Sequence, residues 1–176
     1  MRLIVALLLC MLCYKPASWA QNYSERLPSS ARLMLNGRFP GWKFVEVSPE
    51  VRQFFEQEMK GASPALISGD FDGNGRLDYA ALIQHGKILN EHGKAIGSRY
   101  YLVAFLRRGA GYRMYVIKDP DGEYLCLAQK GTRDYNYEEQ KEITYANDAI
   151  MTSIFEKGGS SYVYRNGRFI SFVSGD

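Results

Sequence analysis

Apolar residues recur at helical spacing in two stretches before residue 62, and in short runs or alternation after it. Ser29 and Ser30 precede Ala31-Arg32-Leu33-Met34-Leu35, which Asn36-Gly37 closes, so a short capped helix is predicted there. Arg38-Phe39-Pro40-Gly41-Trp42 reads as a turn, and Lys43-Phe44-Val45-Glu46-Val47 alternates as a strand does. Ser48-Pro49-Glu50 supplies a cap, a first-turn proline and an acid at the positive end of a helix dipole. Val51, Phe54, Phe55 and Met59 then share one face, and Gly61 ends this second helix.

The remainder reads as strands. Pro64-Ala65-Leu66-Ile67 and Tyr79-Ala80-Ala81-Leu82-Ile83 are short apolar runs suited to buried strands. Arg99–Arg107, Tyr112–Ile117, residues 123–129 and Ile150–Phe155 follow, with turns at Gly109-Ala110-Gly111 and Asp119-Pro120-Asp121-Gly122. The polar, tyrosine-rich residues 130–141 read as a loop. Asn166-Gly167 joins Ser161–Arg165 to Arg168–Val173, because both residues tolerate the left-handed backbone of a two-residue hairpin turn. Strands close in sequence favour an antiparallel meander. With helices ahead of them the expected class is α+β: one or two N-terminal helices packed on a mainly antiparallel sheet.

The N-terminal residues change the cysteine count. Arg2 precedes the apolar run Leu3 to Leu12, and Ala17-Ser18-Trp19-Ala20 places small residues where a signal peptidase reads. Residues 1–20 therefore read as a secretory signal peptide, and residues 21–176 as one domain, exported to the periplasm or secreted. An uncleaved anchor is the alternative, though the apolar run is short for a bilayer. Cleavage discards Cys10-x-x-Cys13 and leaves Cys126 alone in an apolar run, where a buried structural thiol is expected. Loss of Arg2 and Lys15 lowers the basic residues from 22 to 20 against 19 acidic ones. Near neutrality argues against a nucleic-acid partner. No later run reaches transmembrane length, and a monomer is expected.

One stretch carries candidate chemistry: Ser68-Gly69-Asp70-Phe71-Asp72-Gly73-Asn74-Gly75-Arg76-Leu77-Asp78-Tyr79. Oxygen-bearing side chains alternate at Asp70, Asp72 and Asn74, the backbone carbonyl of Arg76 continues the alternation, and Asp78 completes it. Gly75 permits the sharp turn. Three carboxylates in one turn repel one another by about 1 kcal/mol per hydrated pair, more when dried, and a divalent cation reverses the sign. Calcium takes six to eight oxygens in this manner, whereas magnesium demands a stricter octahedron. The loop matches a calcium-hand pattern for nine positions, but the twelfth has Ala81 instead of a bidentate Glu, and strands rather than helices flank it. An Asp/Asn/Gly turn without metal gives a similar local pattern.

Gly69-Asp70-Phe71-Asp72-Gly73-Asn74-Gly75-Arg76-Leu77-Asp78 resembles the FG-GAP and VCBS-type calcium loops of integrin-like β-propellers. The resemblance implies calcium ligated by Asp70, Asp72, Asn74, Arg76 through its carbonyl, and Asp78. The unit occurs once, and a single blade cannot bury its faces, so a full propeller is not expected. Residues 31–47, a helix, Phe-Pro-Gly-Trp and a strand, faintly resemble the start of PepSY-like periplasmic domains.

Catalytic groups are sparse. His85 and His92 flank a hairpin loop and lack partners by spacing. Glu138, Glu139 and Glu142 sit in a mixed-charge stretch that reads as a solvated face. Tyr100, Tyr101, Tyr112, Tyr115, Tyr135, Tyr137, Tyr162 and Tyr164 suit strands, and equally suit an aromatic surface for a protein or glycan partner. The expected function is an exported calcium-binding module with one calcium-stabilised loop. The alternatives are an extracytoplasmic hydrolase using acidic loop residues, and a calcium sensor.

Overall fold

The computed structural model describes Tyr23 and residues 25–174. The signal-peptide segment, with Cys10 and Cys13, lies outside the described residues. Two helices, α1 (Ser29–Arg38) and α2 (Pro49–Gln57), accompany eleven described strands. These are β1 (Lys43–Phe44), β2 (Leu66–Gly69), β3 (Asp78–Leu89), β4 (Ala95–Arg108), β5 (Gly111–Lys118), β6 (Tyr124–Ala128), β7 (Arg133–Asn136), β8 (Lys141–Thr144), β9 (Ala149–Ile154), β10 (Lys157–Arg165) and β11 (Arg168–Ser174).

The strands form two antiparallel sheets. The first runs β1-β3-β4-β5, with β2 sharing the β1 side of β3. There β2 pairs with Asp78–Ala81, and β1 with Ile83 and Gln84. The second runs β6-β9-β10-β11-β7-β8. The β7–β8 hairpin, which lies between β6 and β9 in sequence, is therefore placed at the far edge beside β11.

The apolar runs explain how the sheets meet. Leu102 to Leu106 in β4 and Ala80 to Ile83 in β3 are fully buried at every position. Consecutive burial, rather than alternation, means both faces of the sheet are covered. Leu125, Ile150 and Tyr162 of the second sheet join these residues in one core, with Leu27, Ala31 and Leu35 from the N-terminal segment. A smaller cluster sets Val51 and Phe55 of α2 against Tyr124 of β6.

The α+β expectation is corrected by this architecture. Strands make up 50% and helices 13%, so the fold is mostly β, built on two sheets rather than on N-terminal helices packed against one meander. The physical reason lies in two connections. After β5 the chain turns through Asp119 and Pro120 to Gly122, where φ is +130° and an added Cβ would lie 2.6 Å from Thr152 Cβ. That tight approach starts a second sheet instead of extending the first. Residues 130–141, read as a loop, contribute β7 and the start of β8, whose single buried residue, Asn136, offers no apolar alternation. The helices themselves are short: α1 buries Ala31 and Leu35, and α2 buries Val51 and Phe55.

Candidate metal centre

The candidate loop connects β2 to β3 and is closed at its base by the Gly69–Asp78 pair of the antiparallel ladder. Phe71 is fully buried and anchors the loop in the core. Gly73 and Gly75 have φ of +73° and +75°, which is why glycine stands at both turns. With Phe71 pointing inward, the flanking Asp70 and Asp72 remain available to face each other across the turn.

The carboxylates of Asp70, Asp72 and Asp78 each offer an oxygen within 4.8 Å of the others. Asp78 is fully buried and accepts from Phe71 N (3.0 Å) and Arg107 N (2.7 Å). Asp70 accepts from Asn74 N (2.9 Å) and Gly75 N (2.8 Å). Asn74 N also donates to Asp72 Oδ1 at 3.2 Å, and Asn74 Oδ1 accepts from Arg76 N at 2.9 Å. The loop thus brings the three predicted aspartates together, with Asn74 bridging two of them. The Arg76 side chain turns elsewhere, toward Gly109 O at 3.4 Å.

Asp72 differs from its neighbours. Its side chain is 2% exposed, and its Oδ2 accepts no hydrogen bond among the described residues. Arg108 Nη1 lies 2.6 Å from that oxygen, so an ion pair with one guanidinium is the contact this buried oxygen has. Burial raises the Asp78 carboxyl to about 6, and the charges of Asp72 and Asp70 add to the rise against the opposing N–H groups of Arg107 and Phe71. A cluster of this kind accumulates negative charge that one guanidinium offsets only in part.

These residues fit a hard divalent cation. The donor set is all oxygen, one buried carboxylate oxygen lacks a hydrogen bond, and the bonded oxygens each retain a second lone pair. Arg108 supplies positive charge at the same place. Arg108→Gln is expected to destabilise the metal-free protein by about 1 kcal/mol, a modest value because its side chain is 44% exposed. Excess calcium should erase that deficit. Urea titrations with chelator and with calcium check it, and an equal deficit in both would remove Arg108 as the loop's counter-charge.

Two groups of partners, the Asn147-Asp148 pair and Arg108, were not evident from the sequence. Asp148, between Tyr145 and β9, accepts from Asp70 N (2.9 Å) through Oδ2 and from Lys130 N (2.9 Å) through Oδ1. Asn147 closes over Gly73, where an added Cβ would lie 2.4 Å from its Oδ1. The Asn147-Asp148 pair is a turn signal in sequence, but nothing local assigns it to a loop 78 residues away. Arg108 is the other: it ends a strand and carries no motif.

The remaining candidates lie apart from this cluster. The His85 ring packs against Phe39 and Tyr101 at 5.4 and 6.4 Å, and His92 is exposed on the β3–β4 turn beside Glu91. Glu138, Glu139 and Glu142 are exposed on the β7–β8 hairpin, where Glu139 pairs with Lys141. Burial pushes the Cys126 thiol up, consistent with an inert side chain. The tyrosines divide: Tyr162 is buried, Tyr115 and Tyr164 join β5 to β10 through hydroxyls 2.7 Å apart, and Tyr100, Tyr135 and Tyr137 are exposed on different sheets. No helix among the described residues is long and apolar enough to cross a membrane. No family model, curated protein or solved structure matches the chain. The likeness to FG-GAP and VCBS loops therefore rests on residues 69–78.

Proposed function

We propose that the loop from Asp70 to Asp78 holds one calcium ion, and that the chain is an exported, calcium-stabilised β-domain acting as a binding module. The observation that carries this reading is the convergence of the Asp70, Asp72 and Asp78 carboxylates within 4.8 Å of one another, with Asp72 Oδ2 buried and, among the described residues, met by the Arg108 guanidinium alone. Asp70, Asp72 and Asp78 would hold the ion with Asn74 and the Arg76 carbonyl. The ion would supply positive charge to a crowded acidic turn and tie β2 to β3. Calcium suits the donor set better than magnesium, because it accepts more oxygens in looser geometry. Export follows from the pattern of Met1–Ala20. The binding role draws on exposed Tyr100, Tyr135 and Tyr137, a residue type enriched at interfaces.

Calorimetry and terbium luminescence test the site. One equivalent should bind, and Asp72→Ala should abolish the signal. Calcium should also raise the melting temperature, since a ligand selective for the native state stabilises it. A wild-type protein that takes up no terbium or calcium at millimolar concentration would dispose of the reading.

A further inference from the structure

Beside the metal loop lies a feature that calcium binding does not use. The second half of the loop and the β4–β5 turn form the two walls of an open cleft of about 460 Å³, lined by Arg76, Leu77, Arg107, Gly109 and Tyr112. Its walls are tied together. Asn74 Nδ2 donates to Arg107 O at 3.3 Å, Arg107 N donates to Asp78 Oδ1 at 2.7 Å, and the Arg76 guanidinium reaches Gly109 O at 3.4 Å. The volume falls in the range of small-molecule sites.

The cleft's chemistry is uneven in a telling way. Among the described residues neither Arg76 nor Arg107 pairs with a carboxylate; the ion pairs there involve other residues. Arg107 Cζ lies 5.0 Å from the Tyr112 ring centroid, so its guanidinium is held in place by an aromatic ring. That ring is itself fixed edge-on by Tyr79 and Phe105, at 6.0 and 6.4 Å. A guanidinium supported in this way loses little freedom on meeting an anion and offers a fork of N–H groups that matches a planar carboxylate. Leu77 adds an apolar surface that is 54% exposed.

We infer that this cleft binds the carboxylate of an acidic sugar, with Arg76 and Arg107 on the carboxylate and Leu77 and the Tyr112 edge against the ring. A sugar carboxylate is favoured over inorganic phosphate, because its ring adds contact with Leu77 and Tyr112, and because in the metal-free protein the Asp70, Asp72 and Asp78 cluster behind one wall penalises a second negative charge. An open cleft also lets a chain of sugars run through, with one charged unit seated. The inference stands apart from the calcium reading, since no cleft side chain is a proposed ligand.

The test is a titration by NMR or calorimetry with sodium galacturonate, galactose and inorganic phosphate. It is run both with calcium and after chelation, so that loss of the metal reading leaves this readout intact. Galacturonate should bind, galactose should bind about tenfold more weakly or not at all, and phosphate should bind less tightly than galacturonate. Arg107→Gln and Arg76→Gln should each weaken galacturonate about tenfold, as loss of a charge-assisted hydrogen bond entails. Melting curves confirm that the variants fold, and should Arg107→Gln fail to, the exposed Arg76 carries the test. Undetected galacturonate binding, or binding unchanged in the variants, overturns the site. Tighter phosphate than galacturonate overturns the carboxylate assignment, and a glutamate-rich peptide that outcompetes galacturonate overturns the sugar.

Discussion

Phe71→Ala is expected to remove about 4 kcal/mol of stability, in line with other buried Phe-to-Ala changes. Phe71 is fully buried although it lies in a loop, and it is among the largest enclosed side chains in the protein. Its ring joins the same core as Leu82, Phe105 and Leu125. The substitution therefore leaves a cavity where the two sheets meet. It also frees the backbone between Asp70 and Asp72, so calcium affinity should fall together with stability. Urea unfolding in chelator measures the first effect and calorimetry the second. A loss below about 1 kcal/mol would mean that the core can close over the gap, and that the loop is held by its hydrogen bonds rather than by packing.

A second large effect comes from Asp78. Its carboxyl sits at about 6 in the folded, metal-free protein, mainly through burial, against an ordinary value near 3.9 in an unfolded chain. Between those values the native state holds a proton that the unfolded state has lost. Stability from this group is therefore fully present below about pH 4, declines as pH rises, and is gone above about 6, a total of about 3 kcal/mol at most. Calcium should flatten the profile, because ligation requires the carboxylate and releases the proton. Its affinity should accordingly fall as pH drops through about 6. Melting temperatures from pH 4 to 7, with chelator and with calcium, show the difference. Parallel profiles under the two conditions would mean that Asp78 does not face the ion.

Local features were legible in the sequence where the signal and its partner lie close together. Ser48 caps α2 as its position suggests, its side chain accepting from Val51 N at 3.3 Å. Asn166 and Gly167 take φ of +50° and +84° and join β10 to β11. The acidic loop does connect two strands, and its aspartates converge. The division into two sheets was not legible, since alternation along a strand says which residues are buried and nothing about which strand lies alongside. The β7–β8 hairpin escaped notice because Arg133–Asn136 and Lys141–Thr144 are polar and largely exposed. Asp134 ties the hairpin to Tyr145 and Ser161 through its carboxylate, contacts that no alternation along the two strands announces. Arg108 and Asp148 were invisible for a related reason: each acts on the loop across a long stretch of chain.

The Asp148 contact bears on the order of events in folding. The Asp70 amide is tied to a residue 78 positions further on, at the entrance to β9 in the second sheet. The acidic turn cannot reach its final shape until that later part of the chain has been made and set in place. A cation that binds the finished turn would fasten an assembly already in place rather than template the first sheet. Bound late, it would slow unfolding more than it speeds folding.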